Sequence, residues 1–167
     1  MNWVKIAVLL LFFSQTNTIY SQLNKIIPTP KEQTIKNGFM LIENNPEIIN
    51  NDKFKSALTL LKNAINELNL DNDEKPKNKI KFSYNKKLDN EEYILRINSN
   101  LITISASTEN GAIFGFQSLN QLMNLNLNNG VIKLKNQEIK DSPRFKYRGM
   151  HLDVGCLLYT SDAADDD

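Results

Sequence analysis

The side chains able to do chemistry crowd into one stretch near the end of the chain: Asp141-Ser142-Pro143-Arg144-Phe145-Lys146-Tyr147-Arg148-Gly149-Met150-His151-Leu152-Asp153-Val154. Cys156 stands just beyond it. His151 is the only histidine and Cys156 the only cysteine. Histidine is the side chain whose ordinary pKa falls in the physiological range, so His151 is the first candidate for proton transfer. It has no partnered acid or base, however, and on a short strand it reads better as an inward packing residue. Arg148 and Asp153 read as a pair supporting the end of that strand. A structural zinc takes four ligands, which one thiol and one imidazole do not supply, and one thiol makes no internal disulfide. Elsewhere no nucleophile–base pair, glycine-rich phosphate loop or metal cluster occurs. Neither a catalytic residue nor a cofactor nor a metal is expected.

This stretch has to be held by what precedes it. Pro143 locks a loop, since its ring fixes φ, and residues 147–152 read as a short strand. At the other end Lys5 provides a positive charge, Ile6 to Phe13 form an apolar run, and small and polar residues follow to Ser21. That run is far shorter than the about 20 residues a membrane-spanning helix needs. The pattern is that of a secretory signal peptide over residues 1–21, cut after Ser21; the competing reading is a buried N-terminal strand. Export to the periplasm or outside a bacterial cell is expected, with no stable membrane insertion after cleavage. Net charge is +1, with 20 Lys and Arg scattered among 19 Asp and Glu, so no basic field exists to attract nucleic acid.

Between these ends lies one domain's worth of chain with 41% hydrophobic and 23% charged residues, a normal globular balance. Ile27-Pro28-Thr29-Pro30 reads as an extended opening segment. Residues 34–35 and 39–42, joined by Lys36-Asn37-Gly38, predict a β-hairpin with a type I′ turn. Asp52 is expected to cap a helix over 53–68, whose stripe is Phe54, Ala57, Leu58, Leu61, Ala64, Ile65 and Leu68. Alternating residues predict three strands on Ile80, Phe82 and Tyr84, then Tyr93, Leu95 and Ile97, then Ile102, Ile104 and Ala106. Asn98-Ser99-Asn100 links the last two. A second helix, over 109–124 behind Ser107 or Thr108, should bury Ala112, Ile113, Phe116, Leu119, Leu122 and Met123. Short strands at 131–134 and 137–139 lead to the motif. The expectation is a two-layer α+β domain, a sheet of about five strands with two helices on one face.

Two motifs then carry a family resemblance. Gly111-Ala112-Ile113-Phe114-Gly115-Phe116-Gln117-Ser118-Leu119-Asn120-Gln121-Leu122 resembles a helix of the accessory domain that precedes the barrel in β-N-acetylhexosaminidases. Glycines four apart leave a flat notch where a strand can approach, which offsets the helix propensity they lose. Its glutamines read as solvated or as caps on neighbouring backbone. The run from Asp141 to Asp153 resembles the segment opening the catalytic barrel of family 20 glycoside hydrolases. On it Pro143, Arg144, Phe145, Arg148, Gly149 and Asp153 match as structural positions.

The resemblance divides the chain into a signal peptide (1–21), an accessory domain (22–141) and the start of a (β/α)₈ barrel (142–154). Residues 155–167 resemble a translated adapter-like end and are read as not native; as a native tail they would be a solvated acidic run, without the spacing of an EF-hand calcium loop. The implied parent enzyme hydrolyses terminal β-linked N-acetylhexosamine from glycans with retention, by substrate assistance. The sugar's acetamido oxygen attacks the anomeric carbon, a glutamate protonates the leaving oxygen, and an adjacent aspartate orients the acetamido group. That pair lies in a barrel of roughly 250 residues, outside this sequence. The family's motif continues to a sugar-binding arginine, and that position here is Cys156. The chain alone is therefore expected to be inactive. The rivals are a free-standing secreted carbohydrate-binding or interaction module, and the accessory domain of another glycosidase family such as the O-GlcNAc hydrolases.

Overall fold

Two neighbouring strands of eleven residues form one side of the sheet of this computed structural model, which describes residues 26–49, 51–70 and 75–149. In chain order the elements are β1 (Glu32–Ile42), β2 (Glu47–Ile49), a 3-10 turn (Asp52–Phe54) leading into α1 (Lys55–Glu67), β3 (Lys79–Tyr84), β4 (Tyr93–Ile97), β5 (Leu101–Ala106), α2 (Glu109–Leu125), β6 (Leu127–Asn128) and β7 (Val131–Asp141). The seven strands form one sheet in the order β1-β7-β4-β5-β3-β2, with β6 added to β7. β2, β3 and β5 run parallel, while β4 is antiparallel to both β5 and β7.

That order explains why both helices cover one face. α1 connects β2 to β3, and α2 connects β5 past β4 to β7, which runs in the same direction as β5. Both crossovers step the same way across the sheet. Right-handed connection, the rule for such units, then places both helices on the same side. The covered face carries Ile80, Phe82, Leu95, Ile97, Ile102 and Ile104, all buried in one cluster with Ala57, Leu61 and Ile65 of α1 and Phe116, Leu119 and Leu122 of α2. Each helix is capped across a gap in sequence or locally. Thr108 accepts from the Gly111 amide at α2, and Glu109 Oε1 accepts from the Ala57 amide in the first turn of α1, at 2.8 Å. The opposite face of the sheet mixes the exposed Phe39 and Leu41 of β1 with charged side chains: Arg96 makes a forked contact with Glu138, at 2.8 and 3.4 Å, and Lys36 reaches the same carboxylate at 3.5 Å.

The α+β class and the two helices are as the periodicity predicts. Five strands have five residues or more; the three-residue β2 and two-residue β6 bring the sheet to seven. Residues 34–42 are not a hairpin. They form the single strand β1, whose two halves both pair with β7, Ile35 opposite Gln137 and Phe39 opposite Lys135. Lys36, Asn37 and Gly38 therefore face Asn136 alone, as a bulge. Gly38 has φ +92 but Asn37 keeps a negative φ, so the two positive angles of a type I′ turn are not met. Asn136 Nδ2 donates to the Asn37 carbonyl at 3.0 Å and fills the gap in the ladder. The type I′ signature is satisfied instead at Asn129 (φ 49) and Gly130 (φ 77), which join β6 to β7.

The segments 131–134 and 137–139 are likewise one strand, β7. Opposite the bulge its pleat slips by one residue, so Leu134 and Ile139 are both buried although five positions apart. Asn51, not Asp52, caps the first helical turn, accepting from the Lys53 amide at 3.1 Å. Ile113 packs against the core only in part, and Tyr84 is 45% exposed where β3 leaves the helices' cover.

Candidate functional site

Residues 141–149 of the Asp141–Asp153 motif lie against the end of the domain where the chain enters it. Strand β7 delivers Asp141 beside the opening segment, and the two are sewn together. The Lys31 amide donates to Asp141 Oδ1 at 3.1 Å, Lys31 Nζ donates to Ser142 Oγ at 2.6 Å, and Arg144 Nη2 donates to the Thr29 carbonyl at 3.2 Å. From the helix side Gln121 grips the same segment with its whole amide: the Ile27 amide donates to Gln121 Oε1 and Gln121 Nε2 donates to the Ile27 carbonyl, both at 3.0 Å. Of the two readings the sequence left for these glutamines, Gln121 takes the second.

Between α2, the opening segment and the 141–148 run lies a cleft of about 400 Å³. Ile26 to Thr29 form one wall and Phe114, Gln117 and Gln121 another; Asp141 to Phe145 and Arg148 close the third. Its floor is the pair Tyr93 and Ser118, whose hydroxyls meet at 2.6 Å. Burial pushes the Tyr93 hydroxyl up to about 12, the Ser118 hydrogen bond works against that, and the charge of Asp141 adds to it. Tyr93 is thus held as a neutral hydroxyl. Among the described residues the cleft has no base beside a nucleophile, and no group of three metal-ligating side chains occurs. Gln121, Asp141, Ser142 and Arg144 join segments of the fold around it.

Pro143 and Arg144 line this cleft, and Phe145 stands at its edge, 73% exposed. Arg148 has partners within the described residues. Its Nη2 meets Glu91 Oε1 at 2.7 Å, its Nη1 donates to the Phe145 carbonyl at 2.6 Å, and its guanidinium lies 6.0 Å from the Phe114 ring. Gly149 stands in open space. His151, Asp153 and Cys156 lie outside the described residues, as do the signal-peptide and tail segments. Sequence reading missed Glu91 and Tyr93 as site residues. Glu91 sits in an unpatterned loop, and Tyr93 looked like any strand residue.

The helix motif performs the packing its glycines predict. A Cβ on Gly115 would stand 2.6 Å from Ile104 Cγ2 and 3.2 Å from the Tyr93 ring, and one on Gly111 would stand 2.6 Å from the Glu92 carbonyl oxygen. Residues 24–142 match the family model described as glycosyl hydrolase family 20, domain 2. The chain belongs to this family. Solved structures agree. An exo β-N-acetylglucosaminidase of family 20 from Vibrio harveyi, seen with N-acetylglucosamine, is 25% identical with a TM-score of 0.65, over 77% of this chain and 20% of its own. The β-N-acetylhexosaminidase of Bacteroides fragilis is 23% identical with a TM-score of 0.61, over 75% of this chain and 26% of its own. CpGH84B, at 24% identity and a TM-score of 0.57 over 78% of this chain and 26% of its own, shares the fold. The family 20 domain described here thus spans a fifth to a quarter of the structures it resembles. No helix among the described residues is long and apolar enough to cross a membrane.

Proposed function

We propose that this chain is the accessory domain of an exported bacterial glycosidase that releases terminal non-reducing β-linked N-acetylhexosamine from glycans, by substrate-assisted catalysis with retention. The observation that carries the reading is the match of residues 24–142 to the second domain of family 20. The likeness to an enzyme seen with N-acetylglucosamine supports the same substrate class. The chemistry belongs to the barrel. There the sugar's own acetamido oxygen serves as nucleophile, a glutamate as acid and then base, and a neighbouring aspartate as orienter of the acetamido group. The chain's part is to carry and brace that barrel. The catalytic pair belongs to that barrel and Cys156 stands where its sugar-binding arginine would, so the accessory domain by itself is expected to be inactive.

The likeness to CpGH84B favours a second reading, an accessory domain serving another glycosidase family. The two separate on the gene's reading frame beyond Val154. The first reading requires an adjacent Asp-Glu pair at the end of a later barrel strand, and replacing that glutamate by glutamine should remove most aminosugar hydrolysis, about 10²–10⁴-fold. A barrel without the pair, or a glutamine variant of undiminished rate, would overturn it.

A further inference from the structure

Glu91 belongs to a loop more tightly built than a mere connection between strands requires. The Asp89 amide donates to Glu92 Oε2 at 2.9 Å and the Glu92 amide to the Asp89 carbonyl at 3.1 Å. The Lys87 amide donates to Asn85 Oδ1 at 3.1 Å and the Leu88 amide to the Asn85 carbonyl at 3.3 Å. Ser107 Oγ donates to the Asp89 carbonyl at 2.8 Å, Thr108 Oγ1 donates to the Asn90 carbonyl, and Lys140 pairs with Glu92 at 3.3 Å. The loop is therefore bolted to the start of α2 and to β7. From that rigid base the Glu91 carboxylate reaches Arg148 at 2.7 Å, while the guanidinium also lies beside the Phe114 ring of α2. Arg148 is the last side chain before Gly149, whose surroundings are open. The chain's direction on leaving the domain is thus decided at Arg148, by a carboxylate that cannot easily move.

We propose that Glu91 is a positioning residue: acting through Arg148, it sets the direction in which the chain leaves the accessory domain and so the orientation of the catalytic barrel. The second half rests on the reading that such a barrel follows. Arginine suits the role because its planar fork can bind a carboxylate, a carbonyl and an aromatic face at once, which lysine cannot.

The test has two parts. In the 167-residue chain, native trypsin cleavage after Arg148 is compared with cleavage after the exposed Lys146 by mass spectrometry. Glu91→Gln should raise the Arg148:Lys146 ratio about two- to fivefold, the shift an exposed ion pair of this kind supports, with Tm unchanged. In the enzyme carrying its barrel, Glu91→Arg should lower kcat/KM, and adding Arg148→Glu should restore part of it, because the ion pair returns while the contacts to the Phe145 carbonyl and the Phe114 ring do not; a purely structural role for the loop would not be rescued by reversing the pair. An unchanged trypsin ratio, or an active enzyme whose Glu91→Arg variant keeps wild-type kcat and KM, would overturn the proposal. Failure of the functional reading looks different: the ratio shifts, but the complete wild-type protein does not hydrolyse an aminosugar.

Discussion

Gly115 lets α2 lie so close to β5 that a Cβ at this position would stand 2.6 Å from Cγ2 of Ile104. Ile104, the nearer neighbour, is wholly buried in the core, while Tyr93, 2% exposed, borders the cleft. Gly115→Ala gains up to about 1 kcal/mol of helix propensity. Overpacking a filled core costs about 1–3 kcal/mol, and the close packing around Ile104 makes that the larger effect. The variant should be less stable in urea at unchanged m-value. A variant more stable than wild type would mean that α2 can stand off from the sheet.

Alkaline pH should unfold the domain through Tyr93. Its hydroxyl is pushed from 10.0 up to about 12 in the fold, chiefly by burial. A raised pKa contributes stability that is fully present below pH 10 and is lost as pH rises through 12. That rise corresponds to roughly 2–3 kcal/mol. Urea midpoints should fall steeply between pH 10 and 12, and in Tyr93→Phe that slope should flatten. Equal slopes in the two proteins would assign the loss to other groups.

Gly38 should tolerate no side chain. It adopts φ +92, and a Cβ there would meet Asn136 Nδ2 at 2.7 Å, the atom that satisfies the bulge. Gly38→Ala is expected to cost about 1–3 kcal/mol from backbone strain, before any loss of the Asn136 hydrogen bond. Gly130→Ala, also at positive φ but with nothing within 4 Å, should cost less. Thermal melts of the two variants compare them directly, and the reverse order would contradict the bulge.

Periodicity found what periodicity can encode. The alternation of Ile80 and Phe82, of Leu95 and Ile97, and of Ile102 and Ile104 placed three strands, and the stripe through Phe116 and Leu119 placed α2 with its buried side. Asn-Gly was less informative, because the same dipeptide makes a bulge at Asn37-Gly38 and a tight turn at Asn129-Gly130. The difference lies in what pairs alongside: both halves of β1 have β7 as partner, and the sequence of β1 does not contain that fact. The motif from Asp141 onward announced itself through its proline, arginines and glycine. Its partners did not. Glu91 meets Arg148 across 57 residues and Gln121 meets Ile27 across 94, and each is one polar residue among many until the fold brings it there.

The most direct test of the account is hydrolysis of a chromogenic N-acetyl-β-glucosaminide by two purified proteins side by side. One is the 167-residue chain; the other joins residues 1–154 to a complete family 20 barrel, with arginine at position 156. The account predicts no turnover by the chain at any concentration, because no barrel encloses a water-excluded site, and ready turnover by the longer protein. Turnover that stays with the purified 167-residue chain, or a complete protein that leaves the aminosugar intact, would contradict it.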